Sequence, residues 1–288
     1  MSLVTVNGIR LHYTVSGPAE GETVVLVMGT GAGGRAWHLH QVPALVDTGY
    51  RVVTYDNRGI PPTDVCADGF TAQDLVGDLT GLIEHLGLAD CKLVGTSMGA
   101  YVVQELALQR PGLIRQAVLI ATRARMGALG TALTRAEIEL MDAGVRLPAR
   151  YDAVTRAMQN LSPRTLADDG RASDWLDILE LTAADGPGLR AQLAASRIPD
   201  RRDAYRNITV PCHVIAFADD QVTPPHLGRE VADAIPGATY EVVPDCGHYG
   251  YLEDPGTVNK SIVEFFRTVH RAPPAPRTIH HDAGGRGR

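Results

Sequence analysis

Short runs of apolar residues alternate along this chain with stretches where apolar positions recur every three or four residues. The runs occupy 24–28, 52–55, 92–94, 117–121, 214–217 and 240–243. Continuous apolar runs of this length suit parallel strands buried on both faces. The first fourteen residues instead alternate apolar and polar around Asn7-Gly8, which predicts a β-hairpin. Between the runs lie helical patterns. Thr71 is placed to cap one that continues through Leu75, Leu79, Leu82, Ile83 and Leu86, and others cover 98–109, 227–234 and 258–269. Repeated strand–helix alternation predicts an α/β fold: a mostly parallel central sheet with helices on both faces.

One region breaks the rhythm. Between 122 and 207 no strand pattern appears, and 133–141, 153–161, 175–181 and 189–196 read as short amphipathic helices. Pro148, Pro163, Gly186-Pro187 and Pro199 punctuate their junctions. The expected organisation is a core of 1–121 and 208–271, a helical insertion of 122–207, and a disordered tail of 272–288. From Arg271 the sequence reads RAPPAPRTIHHDAGGRGR, rich in proline, glycine and charge.

Length and composition narrow the partners. At 288 residues with 44% hydrophobic side chains, the chain fits one large α/β domain with an insertion. Its net charge is -6 and its basic residues form no blocks, which argues against nucleic acid and acidic membrane surfaces. No apolar run approaches the ~20 residues of a membrane helix, and the N-terminus lacks the pattern of a signal peptide. Cys66, Cys91, Cys212 and Cys246 show no Cys-x-x-Cys spacing and read as free thiols of a cytoplasmic protein.

Chemistry enters where the run at 92–94 stops on Gly95-Thr96-Ser97-Met98-Gly99. This is G-x-S-x-G between a strand and a helix. The serine is held strained with its hydroxyl projecting, and side chains at either glycine would collide with neighbouring backbone. The helix that follows points free N–H groups at the serine, suited to an oxyanion. A serine hydroxyl needs a base, and the base an orienting acid. Of ten histidines, His248 follows the run at 240–243 in a loop at the sheet edge where Ser97 also falls. Asp219 and Asp220 follow the run at 214–217 at a third such edge. The chain order Ser, Asp, His is that of one hydrolase class.

With these pieces in order, the sequence resembles the α/β-hydrolase fold superfamily, closest to its serine esterase, haloperoxidase-like and natural-product hydrolase branches, over roughly residues 3–270. The resemblance implies a nucleophile elbow at Ser97, the acid at Asp220 in the pattern D-x-V-x-P, and the base at His248 in a late Gly-His turn. Tyr55–Gly59 (YDNRG) matches the family's D-x-R-G, and the helical insertion corresponds to its cap domain. By position, the Thr30 and Met98 amides form the oxyanion hole. One departure stands out: the family's His-Gly reads Met28-Gly29 here, which puts the geometry of that loop in question.

What the resemblance implies is acyl transfer to water, through an acyl-enzyme, from an ester, lactone or thioester of a small to medium-sized apolar or natural-product-like substrate, as in secondary metabolism, with no metal or organic cofactor. Serine rather than aspartate at 97 disfavours dehalogenase and epoxide hydrolase chemistry. Carbon–carbon bond hydrolysis, or a non-hydrolytic cyclisation or coupling, remains the alternative, and a non-enzymatic binding role leaves the triad without purpose. Gly31, Gly33 and Gly34 lack the Gly-Lys-Ser/Thr ending of a phosphate loop. Cys246, two residues before His248, is read as a buried thiol. The expected substrate contacts are Trp37, Tyr101, Arg123, Met126, Trp175 and Tyr249, with Arg125 beside Arg123 and Met141 and Met158 in the insertion. Packing between cap and core is the competing role for the methionines and Trp175. The acyl and leaving groups are not specified.

Overall fold

The computed structural model describes residues 2–182 and 185–268. The expected tail lies outside the described residues.

Eight strands form one sheet: β1 (Ser2–Val6), β2 (Ile9–Ser16), β3 (Thr23–Val27), β4 (Arg51–Tyr55), β5 (Cys91–Thr96), β6 (Ile114–Ile120), β7 (Cys212–Phe217) and β8 (Thr239–Val243). Their spatial order is β1-β2-β4-β3-β5-β6-β7-β8. The first two pairings, β1 with β2 and β2 with β4, are antiparallel, and the rest are parallel. Asn7 and Gly8 both take positive φ, 46° and 78°, as a two-residue hairpin turn requires.

Alternation of side chains across the sheet divides the core in two. Val25, Val27, Val53 and Leu93 face one cluster with helices α2 (Ala72–His85), α3 (Met98–Gln109) and α10 (Pro225–Ala234). Val24, Leu26, Val52 and Val94 face the other, with α1 (Gln41–Asp47) and α12 (Pro255–Arg267). Both faces are apolar, so these strands read as continuous runs. Thr71 caps α2 through a capping box with Asp74.

The described residues of 122–207 form helices joined by loops, with no strand: α4 (Ala128–Asp142), α5 (Ala149–Asn160), α6 (Pro163–Leu166), α7 (Asp169–Leu181), α8 (Pro187–Ala195) and α9 (Arg202–Tyr205), between β6 and β7. This inserted helical region has the character of a cap. Ala153, Ala157, Leu161 and Leu179 give it a small core of its own. Its two connections to the sheet are tied together, the Arg201 amide donating to Ala124 O at 2.8 Å. Arg201 also makes a bidentate pair with Glu105 on α3, both bonds 2.8 Å. A short helix, α11 (Gly250–Glu253), follows β8. Among the described residues no helix is long and apolar enough to cross a membrane.

The strand order reverses between β3 and β5: the chain goes from β3 outward to β4, then returns to place β5 on the other side. Such a switch point leaves a crevice at the carboxyl ends of the strands. The loops after β3, β5, β6, β7 and β8 all leave from that edge.

Candidate active site

Ser97 sits between β5 and α3 with φ 54° and ψ −118°, a conformation most side chains avoid. Gly95 and Gly99 permit the sharp turn. A Cβ on Gly95 would lie 2.5 Å from Gly99 O, and one on Gly99 would lie 2.2 Å from Val27 O. The turn also seats Ser97 beside the loop after β3, where a Cβ on Gly29 would come 3.2 Å from the Ser97 Cβ.

Two further loops meet each other. His248 Nδ1 donates to Asp220 Oδ2 at 2.8 Å, and both side chains are buried. Asp220 Oδ1 accepts from the amides of Val222 and Thr223, each at 2.8 Å, and Oδ2 accepts from the Thr223 hydroxyl at 2.7 Å. Burial by itself would raise the Asp220 carboxyl. The adjacent His248 and the Thr223 donors outweigh it and hold Asp220 below the ordinary carboxylate range. With Nδ1 committed to the acid, Nε2 is the ring nitrogen left for a substrate or nucleophile. Asp219 does not compete: its amide donates to Cys246 O, and its side chain is more exposed than that of Asp220. Ser97 and His248 are not joined by a hydrogen bond, whereas Asp220 and His248 are. Burial pushes the Cys246 thiol up to about 12, so it offers almost no thiolate at neutral pH.

The Tyr55–Gly59 motif acts as scaffolding. Asp56 accepts from the Gly34 amide at 2.8 Å and pairs with His12 Nδ1 at 2.6 Å. Asn57 Nδ2 donates to Met28 O at 2.8 Å, which pins the loop carrying Thr30. Arg58 makes a bidentate pair with Asp78 on α2, at 2.7 and 2.5 Å. Asn57 and its neighbours thus hold the loop from the backbone side. The Met28 side chain is buried, its sulfur 3.9 Å from the Tyr251 hydroxyl. Met28→Ala is therefore expected to cost about 2–5 kcal/mol of stability while leaving measurable turnover. Asn57→Ala is expected to lower turnover further. Thermal melts with ester kinetics check this; a folded Met28→Ala as inactive as Ser97→Ala would give the side chain a direct role.

The remaining sequence candidates separate. Trp37 is fully buried and packed on Tyr251 with ring centroids 5.1 Å apart. The turn of Gly34–Leu39 directs it inward. Trp175 of α7 stacks on Tyr249 at 6.1 Å, and Tyr249 adjoins His248, so an aromatic row runs from the insertion to the histidine. Met126 and Arg123 line a cavity of about 220 Å³ together with residues following Asp220. Arg125 is taken up by Glu230 in a bidentate pair at 2.8 and 2.6 Å. Tyr101, on the first turn of α3, is buried. Met158 is exposed.

Glu253 carries no motif in the sequence. Its carboxylate accepts from the Gly247 amide at 2.7 Å and from the Ser162 amide and hydroxyl at 2.9 and 2.8 Å. It fastens the His248 loop to the helical insertion. Tyr249 N donating to Asn160 O at 3.0 Å does the same from the other side.

Residues 24–260 match the alpha/beta hydrolase family, and the chain belongs to that family. It is 47% identical over 262 residues to a protein of Mycobacterium tuberculosis (strain ATCC 25618 / H37Rv) named "Putative non-heme bromoperoxidase BpoC", covering 91% of this chain and 99% of that one. A crystal structure of that protein superposes with a TM-score of 0.85 at 46% identity, over 89% of this chain and 95% of the other. "Putative carbamate hydrolase RutD" of Variovorax paradoxus (strain S110) is 30% identical over 271 residues, covering 92% and 99%. A 2-hydroxy-6-oxononadienedioate/2-hydroxy-6-oxononatrienedioate hydrolase of Burkholderia vietnamiensis (strain G4 / LMG 22486) is 26% identical over 273 residues, covering 90% and 91%. The protein is similar to enzymes of this fold with several different reactions, and is itself an enzyme of the alpha/beta-hydrolase fold.

Proposed function

We propose that this enzyme attacks a substrate carbonyl with Ser97 and transfers the acyl group to water. His248 Nε2 takes the Ser97 proton as the serine oxygen bonds to the carbonyl carbon. Asp220 fixes the ring tautomer and stabilises the imidazolium. The Thr30 and Met98 amides hold the tetrahedral oxyanion. His248 then protonates the leaving group, and afterwards activates the water that frees the acid from Ser97. The core of 1–121 and 208–271 carries this machinery, and a cap of 122–207 encloses a small-molecule substrate near Tyr101, Arg123, Met126, Trp175 and Tyr249. The observation that supports this most is the buried Asp220–His248 hydrogen bond at the sheet edge that carries the strained Ser97 turn.

The bond broken has two readings. Ester or lactone cleavage needs only the steps above. The resemblance to the oxo-dienedioate hydrolase favours a second, carbon–carbon cleavage. There the carbonyl is a ketone and His248 delivers its proton to a carbon leaving group. A panel of esters, lactones, carbamates and 2-hydroxy-6-oxo-dienoates, with product analysis for wild type and Ser97→Ala, tests both. Bromination with bromide and peroxide belongs in the same panel. Turnover of any of the carbonyl substrates that vanishes in Ser97→Ala supports the reading. Turnover that survives in Ser97→Ala, or bromination alone, overturns it.

A further inference from the structure

Arg123 lies where the chain leaves β6 for the helical insertion, and its guanidinium is not committed to any acid. Arg58, Arg125 and Arg201 are each held by a carboxylate through two hydrogen bonds. Among the described residues Arg123 forms no ion pair; its Nη2 reaches the Ser196 carbonyl at 3.3 Å, and its Nε is sealed from solvent with no acceptor. A half-buried cation without a counter-charge is costly, and its unmet donors add to the cost. Burial depresses the guanidinium below its ordinary value, and Asp220 is the acid whose field most opposes this. Yet Asp220 already accepts four hydrogen bonds, from Val222, twice from Thr223, and from His248. It has no acceptor site left for Arg123.

Arg123 instead lines the 220 Å³ cavity, together with Met126, Leu129, Val222 and Leu227 and the polar Gln221 and His226. The space is several times the ~30 Å³ share of one water. Apolar walls around one under-used guanidinium match a ligand with an anionic end and a short apolar body.

We propose that Arg123 is a carboxylate receptor, and that the substrate carries a carboxylate a few bonds from its scissile carbonyl. This rests on the reading of Ser97 as nucleophile for the word substrate, though not for the binding itself. A planar guanidinium meets a carboxylate through two parallel N–H bonds, here from its two Nη atoms, since Nε is sealed from solvent.

The test pairs two esters of matched shape, the 4-nitrophenyl monoester of glutaric acid and 4-nitrophenyl 5-methylhexanoate, which differ in a carboxylate against an isopropyl end. Wild type is expected to favour the anionic ester in kcat/KM by at least about tenfold after correction for spontaneous hydrolysis. Arg123→Gln should erase that ratio, and Arg123→Lys should keep part of it. Equal use of the two esters by wild type, or a ratio unmoved in Arg123→Gln, overturns the proposal, and the wild-type arm needs no variant to fold. A second readout does not require turnover. Ser97→Ala titrated with glutaric acid monomethyl ester in a calorimeter should bind it, and Ser97→Ala/Arg123→Gln should bind at least about tenfold more weakly. Arg123-dependent binding in a protein whose Ser97 proves unreactive would uphold the receptor and sink the nucleophile. A reactive Ser97 with no Arg123-dependent discrimination does the reverse.

Discussion

Replacing Asp220 with asparagine is expected to lower kcat on the order of 10⁴-fold, whereas Asp219→Asn should cost about tenfold or less. The difference is geometric. Asp220 holds His248 Nδ1 at 2.8 Å, while Asp219 leaves β7 in another direction and contributes its amide to Cys246 O. An asparagine at 220 leaves the ring without the negative charge that stabilises its protonated form, and permits the tautomer that faces Ser97 with the wrong nitrogen. The Thr223 and Val222 amides that Asp220 Oδ1 accepts from still find an oxygen if the side-chain carbonyl of the asparagine takes that position. The fold should therefore survive. Steady-state kinetics of both variants on any substrate wild type turns over, with a thermal melt of each, decide the matter. A dead Asp219→Asn beside an active Asp220→Asn would reassign the acid.

Ser97→Ala is expected to have the largest effect, on the order of 10⁶ in kcat, because the attacking atom itself is gone. The residual rate should come from the Thr30 and Met98 amides and from binding. Groups that act as one unit lose their effect together, so Ser97→Ala/Asp220→Asn should be no slower than Ser97→Ala. Additive losses in the double variant would mean that Asp220 serves some step apart from Ser97.

How much of this was legible beforehand depended on whether a residue's partner was near it in sequence. The Ser97 turn was legible because strand, glycines and helix are contiguous, and the same two glycines prove to lie where any Cβ would strike backbone. Asp220 and His248 were legible because each follows an apolar run, and parallel strands deliver their carboxyl ends to one edge. The capping box of Thr71 and Asp74 is likewise local. Glu253 was not legible: its meaning depends on Ser162, 91 positions away, which only the folded insertion brings to it. The packing of Trp37 was not legible either, since its partner Tyr251 is remote in sequence. Helices α6 and α9, four residues each, are too short to show a period. Helix α1 carries Pro43 in its first turn, where proline lacks only an N–H that has no helical partner.

The central claim is that Ser97 is the nucleophile. Treating the protein with a fluorophosphonate and mapping the modified peptide by mass spectrometry tests it most directly. A single adduct on Ser97, absent from Ser97→Ala and slowed in Asp220→Asn, is the predicted result. An adduct on another residue that persists in folded Ser97→Ala would contradict it.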